Sequence, residues 1–385
     1  MTTRRLLSIA GVFWLASFTV AIARQPTGTP WQWDLPPGFP EPKVPASNPM
    51  TVEKVALGRA LFYDTRLSIN GTRSCASCHK QELAFTDGLG RAVGALGDQH
   101  PRSAMSLANI AYSPVLTWGN PTQRELERQA LVPMFGEDPV EMGLSGLDAR
   151  LLATLGGDAA LRAQFTAAFP GEADPVTLHN ITAAIASFER SLISGNAPYD
   201  RFRYRGEQAA LSDAAKRGES LFFSERLECF HCHGGFNLTE TTAYVGKLTE
   251  IEFFNNGLYN IGGTGRYPAR NEGVFAVTGD PEDMGRFKAP TLRNIAVTVP
   301  YMHDGSLATL DDVIDHYAAG GRTIPTGPYA GDGSKNPYKS GFIKGFTLSA
   351  AERADLIAFL KSLTDETFLK DPRFGPPQGP RSEEP

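Results

Sequence analysis

Ser74-Cys75-Ala76-Ser77-Cys78-His79-Lys80 and Glu228-Cys229-Phe230-His231-Cys232-His233-Gly234 decide how this chain is read. Each stretch holds C-x-x-C-H, the attachment signature of c-type haem: two thiols bond to the porphyrin vinyl groups and the adjacent imidazole reaches the iron from one face. The two copies use all 4 cysteines of the sequence. Structural zinc is the alternative for a repeated C-x-x-C pair, but nothing about zinc requires a histidine directly after each pair. A disulfide pair is a weaker alternative still. Two covalently bound haem c groups are therefore expected.

Working outward, Pro49 to Tyr63 reads as a helix leading into the first motif, with Val52, Val55, Ala56, Leu61 and Phe62 as its apolar face. The layout returns from Leu211 to His233. Gly58-Arg59-Ala60-Leu61-Phe62-Tyr63 matches Gly218-Glu219-Ser220-Leu221-Phe222-Phe223, and each is followed by a short loop and C-x-x-C-H. Such an internal repeat predicts a mainly α chain of two cytochrome c-like domains, residues 49–205 and 206–370, each enclosing one haem within long loops. Helical periodicity also runs through Leu126–Leu131, Leu147–Phe169 and Val176–Leu192. The segment Gly257–Arg286, dense in glycine, asparagine and proline, should wrap the second haem as loop. The last strong helix is Ala350–Leu363: Ser349 and Glu352 form a capping box, and Leu356, Phe359, Leu360 and Leu363 make its buried face.

A length of 385 residues allows two domains, and a formal charge of -5 leaves no basic footprint for nucleic acid. The first 23 residues have the form of a secretory signal: Arg4-Arg5, the apolar run Leu6 to Val20, and Ala21-Ile22-Ala23 as a small-x-small cleavage site. The alternative is an uncleaved anchor, although the run is short for a membrane span. Arg4-Arg5 also fits twin-arginine export, but haem attachment after translocation favours the general secretory route and a periplasmic protein with no stable span after cleavage. Residues 24–48 form a Pro/Trp-rich arm whose Trp31, Trp33 and Phe39 pack on the body or serve docking. Residues 371–385 read as a disordered tail.

What occupies the sixth position of each iron decides between electron transfer and peroxide chemistry, and composition cannot say. Four blocks help: Leu61-Phe62-Tyr63-Asp64-Thr65-Arg66-Leu67-Ser68, Phe85-Thr86-Asp87-Gly88, Pro139-Val140-Glu141-Met142, and Ala289-Pro290-Thr291-Leu292-Arg293-Asn294 through Pro300-Tyr301-Met302-His303-Asp304-Gly305. With these the mature chain resembles the bacterial dihaem cytochrome c peroxidase and MauG family. The resemblance implies that the N-terminal haem, with His79 as proximal ligand, is the peroxide site, and that the C-terminal haem stores and relays electrons. The removable distal histidine of many members falls on Ala95, which favours an iron open without reductive activation, as in MauG. His100 is the rival ligand in the same loop. Glu141 takes the place of the family's distal acid/base, with Gln129, Pro133 and Met142 lining its pocket and Glu137 as its nearest substitute. Trp118 matches the tryptophan between the haems, the expected relay for electrons or holes.

The second haem takes Cys229, Cys232 and His233, and its other ligand falls on Tyr317, where classical peroxidases have methionine. A phenolate favours ferric and ferryl iron. Core packing of Tyr317, or ligation by His316, are the alternatives. The family also holds calcium between the haems; Thr298 and Pro300 match its carbonyl donors, and Ser103 stands where an asparagine would be. His303 is expected to bond a propionate or backbone. The arm Trp33-Asp34-Leu35-Pro36-Pro37-Gly38-Phe39-Pro40 and the segment Ala130 to Glu137 look most like the MbnH-type dihaem enzymes, which oxidise a tryptophan of a partner copper-binding protein to kynurenine. The resemblance thus implies an oxidoreductase using hydrogen peroxide to oxidise a partner protein side chain through a high-valent dihaem state. A peroxide-scavenging cytochrome c peroxidase fed by a small cytochrome c is the alternative, and a non-enzymatic dihaem electron carrier is the rival of another class.

Overall fold

Two helix pairs built the same way carry the chain. Residues 28–377 are described by the computed structural model; the secretory signal, the first residues of the arm and the last of the tail lie outside them. Helix α1 (Val52–Phe62) starts where the Thr51 side chain accepts from Lys54 N, and it crosses α2 (Leu178–Arg190), itself capped by Thr177. In the second half α3 (Asp213–Phe222) crosses α5 (Ala350–Lys361), while α4 (Leu310–Ala318) carries Tyr317. The Ser349/Glu352 capping box is formed.

Both crossings depend on the repeated glycine. A Cβ on Gly58 would lie 1.9 Å from Ala184 O, and one on Gly218 would lie 2.0 Å from Asp355 O. Only a bare Cα lets the helices approach so closely, which turns the faces holding Leu57, Leu61 and Phe62, or Phe222, into the cores. Val52 and Ala56, expected on the buried face of α1, are exposed instead. The glycine contact rotates the helix so that Leu57 and Gly58 face α2. Burial of each large side chain contributes about 1.5–3 kcal/mol.

One apolar cluster centres on α1 and α2, a second on α3, α4 and α5, and a third, smaller one joins Leu258, Tyr259, Tyr267 and Phe287. The halves are fastened by an ion pair between Arg293 and Asp200 at 2.8 Å, with side chains 1% and 2% exposed. Arg293 also lies over the Phe39 ring of the arm, which packs against Tyr112 and Phe236.

Two further expectations need correction. Leu147–Phe169 is not one helix: it breaks at Gly157, and Asp158 caps a new helix by accepting from Ala160 N and Leu161 N. The end of the chain is not a free tail through residue 377. Arg59 donates to the carbonyls of Pro372 and Gly375, Tyr63 Oη donates to Phe374 O, Gln81 donates to Asp371 O, and Phe374 is buried in the first cluster. Backbone carbonyls do the binding, so composition gives no sign of it. Residues 378–385 lie outside the described part.

Overpacking a tight contact costs about 1–3 kcal/mol. Gly58→Ala and Gly218→Ala should each lower the thermal midpoint of the holoprotein, whereas Gly341→Ala, with nothing within 4 Å, should not. Equal midpoints for all three would remove glycine from the account of the crossings.

Candidate functional site

The two motif histidines are held in one way. His79 Nδ1 lies 2.8 Å from Phe85 O, and His233 Nδ1 lies 3.1 Å from Pro290 O. A carbonyl oxygen only accepts, so Nδ1 carries the proton in each ring and Nε2 carries the lone pair, the arrangement a metal-ligating imidazole needs. Burial lowers the pKa of both, His233 to about 4, so both rings are neutral at pH 7. The first carbonyl is delivered by a loop in which Ala84 and Phe85 take φ of 51° and 63°.

No two of the four cysteines form a disulfide. Burial pushes Cys78 up to about 11 and Cys229 and Cys232 up to about 12, and raises Cys75 as well. Around the second motif a cavity of about 410 Å³ is lined by Cys229, Cys232, His233 and Tyr317. That volume lies in the range of cofactor pockets. Donors and cavity at the second motif fit a haem, and the first motif repeats the same two thiols and Nδ1-bonded imidazole. His316, the alternative to Tyr317, does not line the cavity; its Nε2 donates to Asn256 O at 3.0 Å.

Above the first motif, Ala95 N donates to Glu141 O at 2.6 Å. Gly94 permits this approach, since a Cβ there would lie 2.0 Å from Val140 O. Met142 N donates to Pro133 O at 2.9 Å, which ties the Glu141 segment to the helix Leu131–Phe135. Burial raises the Glu141 pKa, and its charge is among the further causes that raise both Cys75 and Cys78 after burial. The carboxyl is thus close enough for its charge to be felt at both motif thiols. Glu137 is exposed and accepts from Ser145 Oγ at 2.6 Å. His100 turns its Nδ1 to the Arg102 backbone N–H at 3.1 Å. Gln129 is half-buried at the end of the helix Leu126–Gln129, and no hydrogen bond of its side chain is seen among the described residues.

Trp118 lines the same cavity as His233, and its Nε1 donates to Ser103 O at 3.0 Å. Ser103, Thr298 and Pro300, the three positions expected for calcium, are also among its lining residues. Ser103 Oγ donates to Met302 O at 3.2 Å, so it is a weak ion ligand. Sequence reasoning missed Asp87 in this lining: it is 4% exposed and its Oδ2 has no hydrogen-bond partner.

Two other buried charges were also missed. Lys288 donates its backbone N–H to Trp118 O at 2.8 Å and its Nζ to Ser113 Oγ and Val115 O, and burial brings its pKa down to about 7. Glu189 on α2 has a buried Oε2 without a partner, and burial pushes its pKa up to about 8. Lys288 directly precedes the Ala289–Asn294 block, and Glu189 precedes Arg190, which pairs with Glu127 at 2.8 Å. Those neighbours were the available signals.

The helical fold and the paired donor sets define a dihaem c-type cytochrome. A family profile described as di-haem cytochrome c peroxidase matches residues 52–209. The methylamine utilization protein MauG of Methylorubrum extorquens is 37% identical over 86% of this chain and 83% of its own. The cytochrome-c peroxidase IdrP1 of Denitromonas iodatirespirans is 34% identical over 96% of each chain. The crystal structure of a MauG-like protein associated with microbial copper homeostasis superposes with a TM-score of 0.88 at 51% identity, covering 90% of this chain and 99% of that one. The chain belongs to the di-haem cytochrome c peroxidase and MauG family, and is a haem peroxidase-type oxidoreductase. No helix among the described residues is long and apolar enough to cross a membrane.

Glu189 yields a pH prediction. Its folded pKa of about 8 lies above the ordinary value of 4.5, so between these the folded state holds the extra proton and stability falls as pH rises. Denaturant unfolding of the holoprotein at pH 5 and pH 8 should show this fall, and Glu189→Gln should reduce it; an unchanged difference would remove Glu189 as its source.

Proposed function

We propose that the protein is a periplasmic enzyme that uses hydrogen peroxide at the His79 haem to oxidise a side chain of a partner protein, in the manner of MauG. Residues 49–205 and 206–370 are then its two cytochrome c-like domains, each with one covalently attached haem. The haem supplies the redox chemistry at the iron when bound. Everything else is done by the chain.

The observation that carries this reading is the Ala95–Glu141 contact. On the family resemblance Ala95 falls at the distal histidine position, and its methyl cannot ligate an iron; its backbone bond to Glu141 O, with the Glu141 side chain half-buried, supports an open first site with an acid/base beside it. A general acid/base works best when its pKa lies near the working pH, and burial moves Glu141 upward in that direction. Glu141 takes a proton from one peroxide oxygen and returns it to the other; Gln129 and Met142 complete the wall of its pocket. Trp118 relays oxidising equivalents toward the second haem, held by Cys229, Cys232, His233 and Tyr317. Tyr317 lines that pocket while His316 is turned to Asn256, which supports the phenol as ligand. Calcium would sit among Ser103, Thr298 and Pro300, with the unpartnered Asp87 Oδ2 as a further oxygen of the same lining.

The partner is proposed to be a copper-binding protein whose tryptophan is oxidised. The MauG-like relative associated with copper homeostasis, at 51% identity, supports this over a scavenging peroxidase fed by a small cytochrome.

Glu141→Gln should slow the reaction with peroxide by roughly 10²- to 10⁴-fold while both haems stay attached; an unchanged rate would remove Glu141 from the chemistry. Tyr317→Phe should alter the low-spin paramagnetic signal and leave the high-spin one. For the substrate, peroxide plus a candidate copper-binding partner should change the partner's mass. If the mass is unchanged while reduced cytochrome c is rapidly consumed, the scavenging peroxidase is the better reading.

A further inference from the structure

Behind the cavity wall, aromatic rings run to the surface from the cluster against which Trp118 packs. Trp118 packs against the cluster that contains Tyr259, Tyr267 and Phe287. The Tyr267 ring lies 6.2 Å from Phe287 and 5.4 Å from Tyr259, and Tyr259 lies 5.9 Å from Tyr329. Tyr267 and Tyr259 are 4% and 7% exposed, whereas Tyr329 is 43% exposed. A two-stranded hairpin, Thr323–Ile324 with Gly331–Asp332, carries Tyr329 in the turn between its strands.

Aromatic clusters are usually packing, and nothing in the ring distances alone says otherwise. The phenol partners do. A tyrosine that loses an electron becomes a strong acid, so it holds the hole only where a base can take its proton. Tyr259 Oη donates to Asp304 Oδ2 at 2.6 Å, and Asp304 is 8% exposed. Tyr267 Oη donates instead to the amide Asn255 Oδ1 at 2.8 Å and accepts from Leu258 N, neither of which can take a proton. The buried row therefore has one defined resting place for a hole, Tyr259, next to the exposed ring. Arg322 stands 4.5 Å over the Tyr259 face, which disfavours a cationic ring there and favours release of the proton to Asp304.

The geometry points to Tyr329 as the residue at which oxidising equivalents leave the protein, reached from Trp118 through Tyr267 and Tyr259, with an electron-rich aromatic side chain of a docked protein as the donor. This rests on the peroxide-driven reading above, which supplies the oxidant. In the first step one electron passes from Tyr259 to oxidised Trp118, and the phenol proton moves to Asp304. In the second step one electron passes from Tyr329 to the Tyr259 radical, Asp304 returns its proton to Tyr259, and Tyr329 releases its own proton to water. The donor side chain then gives one electron to the Tyr329 radical, which takes a proton from water while the oxidised donor releases one. Each step moves one electron and one proton.

The holoprotein is treated with hydrogen peroxide and a nitroso spin trap without partner, and adducts are mapped by peptide mass spectrometry while peroxide consumption is followed. The expected result is an adduct on Tyr329, absent in Tyr329→Phe and reduced at least tenfold in Tyr259→Phe and in Asp304→Asn, the last of which keeps every ring in place. Peroxide consumed with the Tyr329 adduct missing, or unchanged in both inner variants, would overturn the route and leave the peroxidase reading standing. Peroxide not consumed by the wild type would overturn both.

Discussion

A hydrogen bond from imidazole Nδ1 to a backbone carbonyl, made once at His79 and once at His233, is the constraint on which the rest of this structure depends. It fixes the tautomer and aims Nε2 at the space where an iron would stand. The chain builds each acceptor differently. Phe85 O comes from a loop with left-handed residues at Ala84 and Phe85, and Pro290 O comes from the segment that continues into buried Arg293. The ion pair of Arg293 with Asp200 therefore does more than join two halves, because it holds the strand of chain that positions the second histidine. Removing one partner of such a buried pair costs about 3–5 kcal/mol.

Equal ligation does not make equal sites. The loop over the first motif presents Ala95 and the half-buried Glu141 carboxyl. The pocket of the second motif is walled by the phenol of Tyr317. Trp118 lines the second pocket, fixed by its indole bond to Ser103 O and by Lys288 N on its own carbonyl. A cationic Lys288 opposes positive charge on the neighbouring tryptophan, and burial has moved its pKa to about 7, where it is cationic only part of the time. On the proposed reading this asymmetry separates one reactive haem from one reservoir.

The sequence carried what is covalent or local. C-x-x-C-H names its cofactor because the thiols and the imidazole are neighbours in the chain, and the capping box of α5 is complete within four residues. The family blocks put Tyr317, Trp118 and Glu141 in register as candidates, and the fold adds that Tyr317 and Trp118 line one cavity and that Glu141 is half-buried. What escaped depends on partners far away. The rotation of α1 that exposes Val52 follows from the approach of Gly58 to Ala184 O, more than a hundred residues on. Residues 371–377 are held through their carbonyls, which every residue has. Lys288, Glu189 and Asp87 are residue types that composition assigns to solvent, and only the folded chain shows them buried.

The central claim is that the first iron is open and the second is closed. Low-temperature electron paramagnetic resonance of the as-isolated ferric holoprotein tests it most directly. The account predicts one high-spin and one low-spin haem in equal amounts. Two low-spin haems would contradict it, because a side chain would then occupy the position that Ala95 and Glu141 are proposed to leave free.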